Sequence, residues 1–120
     1  MRSTKTEYNR DLAKGDIPTL ILAVLAQGPC HGYAIAREVE RRGGEVFRLR
    51  EGSLYPALRT LENDDAISGQ WQETSGAPAR RVYSITEKGQ RELAQRTRAW
   101  KQYSKAVNAI IGGKPHAQRA

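Results

Sequence analysis

Tyr55, Arg59, Thr60 and Asn63, with Pro56 among them, share one side of a short amphipathic segment near the middle of the chain. Leu54, Ala57, Leu58 and Leu61 repeat at helical intervals, which gathers them into an apolar stripe and leaves the polar set on the opposite side. An arginine on such a face can donate two hydrogen bonds to guanine, and Tyr, Thr and Asn add further donors and acceptors. The chemistry on offer is therefore the reading of base edges in a nucleic-acid groove. The same pattern also fits an ordinary helix with a solvated face, and this segment alone leaves both readings open. Ser53 is the expected N-cap, with Pro56 in a first turn where backbone N–H groups are already free. Downstream, Arg80 and Arg81 close a Ser75-Gly76-Ala77-Pro78-Ala79 turn and form a second cationic point suited to phosphates.

Several elements must hold these groups in place. Asp16 is expected to cap a first helix with Pro18 in its opening turn and Ile17, Leu20, Ile21, Val24 and Leu25 on its apolar face. Gly28-Pro29 ends it, and a second helix over about His31–Arg41 buries Ile35, Ala36 and Val39 before Gly43-Gly44. Val46–Leu49 forms an extended link to the Ser53 helix. Two strands follow, Ile67–Thr74 and Arg80–Ile85, and Trp71 is expected to cover the core. Thr86 caps a final helix with Glu87 in its first turn. Helix, helix, helix, strand, turn, strand, helix is the order of a winged helix-turn-helix, whose third helix enters the major groove while the hairpin reaches the adjacent backbone. The fold class is thus mainly α with a small β-hairpin. It divides into a flexible arm (1–15), a DNA-binding unit (16–86), a long C-terminal dimerisation helix (87–111) and a disordered tail (112–120).

The charge pattern agrees with that division. The 120 residues carry a net charge of +7, which favours polyanionic partners and leaves the fold undetermined. Residues 1–73 hold 10 basic and 11 acidic side chains, whereas residues 74–120 hold 10 basic and 2 acidic. The excess begins at the hairpin turn and continues into the last helix. Cys30 is the only cysteine, so no intrachain disulfide can form and the cytoplasm is the expected compartment. The opening residues are polar and charged rather than signal-like, and the longest apolar run, Leu20–Ala26, is too short to span a bilayer. Catalysis lacks its materials: Cys30 and His31 are adjacent and diverge, and no metal-ligand spacing or phosphate-cradling glycine loop occurs. Neither cofactor nor metal is expected.

Three stretches carry a family resemblance. They are Leu20–Tyr33, ending Gly-Pro-Cys-His-Gly-Tyr; Gly52–Leu61, with its Gly-Ser-Leu-Tyr-Pro core; and Arg81–Gly89, Arg-Val-Tyr-Ser-Ile-Thr-Glu-Lys-Gly. In this order and spacing the chain resembles the PadR-like winged-helix transcriptional regulators of the short subtype, over about residues 16–111. The resemblance implies a homodimeric repressor that binds double-stranded DNA at a pseudo-palindromic operator and is released by a small molecule. By position it implies recognition-helix contacts at Ser53, Tyr55, Pro56 and Arg59, and the basic end of the wing at Arg80 and Arg81. Thr60 and Tyr33 complete the expected DNA-contact set. Two positions depart from the pattern: Asp65 stands where the family commonly has Gly, and His31 replaces a more usual aromatic.

The last helix supplies the expected dimer seam. Leu93, Thr97, Trp100, Tyr103, Val107 and Ile110 form a stripe longer than so small a core can cover, and an uncovered stripe marks a partner. It is expected to pack against a second subunit and to touch that subunit's first helix. Trp100, with Tyr103, also carries a second reading. In some relatives a tryptophan on the corresponding helix stacks on aromatic ligands between subunits, whereas large aromatics at helical spacing are ordinarily interface core. Two rival functions remain: a winged helix used only to bind protein, for which Tyr55 and Arg59 would be dispensable to DNA affinity, and a non-specific architectural DNA binder, indifferent to sequence and fully salt-sensitive.

Overall fold

A computed structural model of the chain describes residues 10–11, 15–113 and 115–117. Most of the expected arm, residues 1–9 and 12–14, and part of the tail, residues 114 and 118–120, lie outside the described residues. Within the arm, Arg10–Asp11 (β1) pairs in parallel with Phe47–Arg48 (β3).

Helix α1 spans Ile17–Leu25 with Pro18 in its first turn. Asp16 occupies the N-cap position, but its side chain makes no capping hydrogen bond, because its backbone is already helical (φ −89°, ψ −21°) rather than extended as a capping residue requires. Cys30–His31 forms a short strand (β2), and α2 follows over Gly32–Arg42. It closes with Gly44 left-handed at φ +63° and the Glu45 N–H reaching back 2.9 Å to the Glu40 carbonyl, the hydrogen bond of a Schellman cap.

Helix α3 runs Glu51–Asn63 and corrects one expectation. Its N-cap is Arg50, and Ser53 is the third helical residue; the Ser53 and Leu54 N–H groups both donate to the Arg50 carbonyl, at 3.0 and 2.8 Å. Ser53 is therefore no cap, and Pro56 falls one turn deeper than expected. The N–H that Pro56 lacks is the one that would serve the Gly52 carbonyl, and exposure of Gly52 leaves that group open to water. At the far end Asp65 sits left-handed at φ +61°, and the Ala66 N–H closes on the Leu61 carbonyl at 2.9 Å. Asp65 thus adopts the conformation that glycine takes most easily, one that Asp tolerates better than most side chains. The helix exit is preserved.

The sheet has three strands in the order β2-β5-β4, with β4 over Ile67–Thr74 and β5 over Ala77–Ile85. The third strand is additional to the expected hairpin: Cys30 and His31 pair antiparallel with Tyr83 and Val82. The hairpin is tighter than expected, since Thr74 already pairs with Ala77 across Ser75-Gly76, with Gly76 at φ +75°. Between Gln72 and Thr74 the register slips by one residue on β5, and Pro78 lies in that bulge, where a missing N–H costs no ladder bond.

Ile17, Ile21, Leu22 and Leu25 of α1, Ile35 of α2, Leu54, Leu58 and Leu61 of α3, and Ile67 form one continuous buried core. Trp71 does not cover it, contrary to expectation. It shares a strand face with Ile67 but is 68% exposed, because two residues past Gly69 the hairpin has left the domain body.

Helix α4, Glu87–Ile111, is 25 residues long, roughly 37 Å at the standard rise. Thr86 caps it as expected, accepting the Gly89 N–H at 3.0 Å. Gly89 allows α4 to meet the start of β4, since a Cβ there would lie 2.0 Å from the Ala66 carbonyl oxygen. The architecture is a winged helix with a long C-terminal helix.

Candidate nucleic-acid interface

The outward face of α3 carries Tyr55, Pro56, Arg59 and Thr60, all exposed, with Ser53 half-buried beside them. Leu54, Leu58 and Leu61 are buried on the opposite face, so the apolar stripe fixes which way the polar set points. Tyr55 is more than a solvated side chain. Its ring lies against Gly32 at the start of α2, where an added Cβ would stand 3.0 Å from Cε1 and 3.2 Å from the hydroxyl oxygen.

The start of α2 is the meeting point of the site. Next to Gly32, Tyr33 is exposed and Arg37 sits over its ring, 5.7 Å from the centroid, within the range of a cation–π contact. On the other side, His31 Nε2 is 3.1 Å from Arg80 Nη1. A guanidinium can only donate, so Nε2 is the accepting nitrogen in this contact. Sequence reasoning missed Arg37 and His31 as members of the group. Arg37 was within reach of it, because it lies four residues after Tyr33 on a helix. The His31–Arg80 contact depends on a strand of two residues and left no signal in the pattern.

Arg80 and Arg81, read together from sequence, are placed apart. Adjacent strand residues point to opposite faces. Arg80 is exposed beside His31, whereas Arg81 turns back toward α3, pairs with the Glu62 carboxylate and lies over the rings of Trp71 and Tyr83 at 5.6 and 5.8 Å. Burial pushes the Tyr83 phenol above its ordinary pKa, and the nearby Arg81 charge opposes this. Burial likewise raises the Cys30 thiol, with Glu38 adding to the shift and Arg42 opposing it. On the exposed side of α2, hydrogen bonds from Arg41 and Arg42 hold the Glu38 carboxyl down at about 2.

The expected dimer residues divide along α4. Leu93 packs against its own domain, and Arg96 beside it reaches Thr19 of α1 at 3.5 Å. Thr97 and Val107 are half-buried. Trp100, Tyr103 and Ile110 are 55%, 64% and 82% exposed, and the two rings form a tilted pair 5.9 Å apart.

Residues 21–95, more than half of the chain, match the sequence model of the transcriptional regulator PadR-like family. The chain belongs to that family. This PadR-like protein is 31% identical over 107 residues to the transcriptional regulator Rv3488 of Mycobacterium tuberculosis, a match covering 89% of this chain and 94% of that one. Among solved structures it is similar to a transcriptional regulator from Clostridium thermocellum, with a TM-score of 0.75 and 28% identity over 82% of this chain and 95% of that chain. It is also similar to a PadR-like transcriptional regulator from Bacillus cereus, with a TM-score of 0.72 and 30% identity over 84% and 96% of the two chains. The PadR-like chain is therefore a transcriptional regulator and not an enzyme. Among the described residues, no helix is long and apolar enough to cross a membrane.

Proposed function

We propose that this PadR-like regulator is a sequence-specific DNA-binding repressor, acting in the cytoplasm as a homodimer on a pseudo-palindromic operator and released by a small aromatic molecule. The observation that carries the reading is the exposed Tyr55-Pro56-Arg59-Thr60 face of α3, held in one direction by a fully buried leucine stripe. A helix so anchored presents its polar side chains to a major groove, with Arg59 in position to read guanine. Ser53 and Tyr33 flank that face, and Arg80 on the hairpin supplies a phosphate contact. Residues 16–86 form the DNA-binding unit.

Dimerisation through residues 87–111 is supported by the exposed Trp100, Tyr103 and Ile110. One recognition helix covers too few base pairs for selectivity, and two-fold pairing doubles the site. An aromatic effector stacking on Trp100 and Tyr103 would release DNA by binding the DNA-incompetent dimer arrangement more tightly than the competent one.

The test is binding to DNA from upstream of the protein's own gene against a scrambled duplex of equal length, across a salt series. Preference for the upstream DNA that persists as salt rises is the expected result. Equal binding that collapses with salt would identify a non-specific architectural binder, and no binding a protein-interaction module. Arg59→Ala should relax sequence preference by about 1–3 kcal/mol. Arg80→Ala should weaken all duplexes alike and lower the salt slope by about one.

A further inference from the structure

We propose that Arg81 is a positioning residue that fixes the hairpin against the recognition helix, rather than a contact to phosphate; this inference rests on the DNA-binding reading above. Every residue from Gln70 to Arg80 is exposed, so the projecting hairpin has no apolar anchor of its own. Arg81 lies at its base, opposite Trp71 in the ladder, and its side chain occupies a shaped slot. The floor is Gly69, where a Cβ would come within 2.8 Å of the Arg81 Nε and 2.9 Å of Cζ. The rings of Trp71 and Tyr83 flank the guanidinium. The far end is the carboxylate of Glu62, in the last turn of α3.

Each part of the slot selects arginine. A planar guanidinium can lie flat over glycine, face aromatic rings and still direct an N–H at a carboxylate, whereas a lysine ammonium is a compact point charge that stacks poorly. The slot connects α3 to a hairpin that the core holds only near its base, through Ile67, Tyr83 and Ile85. The angle between the hairpin and α3, and with it the distance from Arg80 to the groove face of Arg59, therefore depends on Arg81. Half of the cationic pair at the hairpin is spent inside the protein.

Three variants empty the slot in different ways: Arg81→Ala removes the side chain, Glu62→Ala removes its anchor, and Gly69→Ala fills its floor while leaving every charge in place. The Gly69 variant should displace the flexible guanidinium rather than unfold the strand. All three should weaken binding to the upstream DNA by about tenfold, the scale of one lost cation–π contact and one partly buried ion pair together. Arg81→Lys should not restore binding. Glu62→Ala and Gly69→Ala should lower the salt slope by about one although each keeps every cation, because the displaced hairpin withdraws the Arg80 phosphate contact.

A readout without DNA accompanies these. In a Trp100→Phe background Trp71 is the sole tryptophan, and its emission should shift in all three variants. The proposal is overturned if Arg81→Lys binds as wild type while Arg81→Ala lowers the salt slope, or if Glu62→Ala tightens binding by removing a charge that repels DNA. Unchanged Trp71 emission would overturn the slot itself. If the wild type shows no preference for its upstream DNA while Trp71 still responds, the DNA-binding reading fails and the positioning role in recognition fails with it, leaving a brace of structural importance only.

Discussion

Helices α3 and α4 are both amphipathic, yet one has its apolar stripe covered and the other does not. In α3 the stripe is Leu54, Leu58 and Leu61, all buried by α1, α2 and the start of β4. In α4 only Leu93 reaches the same core, and Trp100, Tyr103 and Ile110 stay open. Length and chemistry account for the difference. Thirteen residues of α3 end within the domain, whereas 25 residues of α4 extend beyond it. The buried stripe is aliphatic; the open one is mainly aromatic, the composition that dominates interface cores. Helical periodicity announces that a stripe needs cover, and the neighbouring geometry decides whether the same chain supplies it.

The largest expected effect tests the covered side. Leu58→Ala deletes a buried side chain at the centre of the core and should lower stability by about 2–5 kcal/mol in denaturant unfolding. A loss well below that range would mean the domain relaxes into the cavity, and the two stripes would then differ less than their burial suggests. On the open side, Trp100→Ala should leave the unfolding of the α1–α3 core nearly unchanged and weaken self-association by about 2 kcal/mol, the scale of an aromatic hot spot. Sedimentation over a concentration series measures the association, and titration with phenolic ligands measures the competing role. A mutant that associates normally but loses ligand would make the open stripe a ligand platform rather than a subunit seam.

The parts of the molecule that strong periodicity governs are legible in the sequence, and of the three expected caps Thr86 is the one that forms. The core residues of α1, α2 and α3, the extent of β4 and the Thr86 cap all follow from apolar spacing and local turn chemistry. Pairings between distant segments were not legible. The two-residue strand at Cys30 has no period to detect, and only tertiary contact with β5 creates it. Strand alternation places Trp71 on the face of Ile67 and so as a cover over the core, but periodicity does not say where a sheet leaves the domain body. Residue type makes Ser53 a cap, whereas Arg50, with its extended backbone, starts the helix one turn earlier. Arg80 and Arg81 illustrate the same limit. Composition gives two cations at a hairpin, and strand alternation with a glutamate 19 positions away separates their surroundings.

The smallest effect concerns the joint between the two regions. Thr86 Oγ1 lies 2.6 Å from the Asp65 carbonyl and 3.0 Å from that of Ala66, and it accepts the Gly89 N–H, while the Thr86 N–H donates to Ala66 at 3.0 Å. The first turn of α4 is thereby tied to the residues that end α3, and Lys88 adds a hydrogen bond to the Asp64 carbonyl at 2.6 Å. Thr86→Ala should cost about 1 kcal/mol, the usual loss of an N-cap hydroxyl, and Thr86→Ser should recover most of it. The informative quantity is which region loses stability. Hydrogen exchange in Thr86→Ala should rise at both the end of α3 and the start of α4, because one hydroxyl serves both. Exchange that rises in α4 alone would make that helix an independent appendage. Coupling at both ends would mean that the direction of α4, and so the spacing of two recognition helices in the proposed dimer, is set by a rigid joint, leaving the proposed subunit seam as the place where the proposed effector would change that spacing.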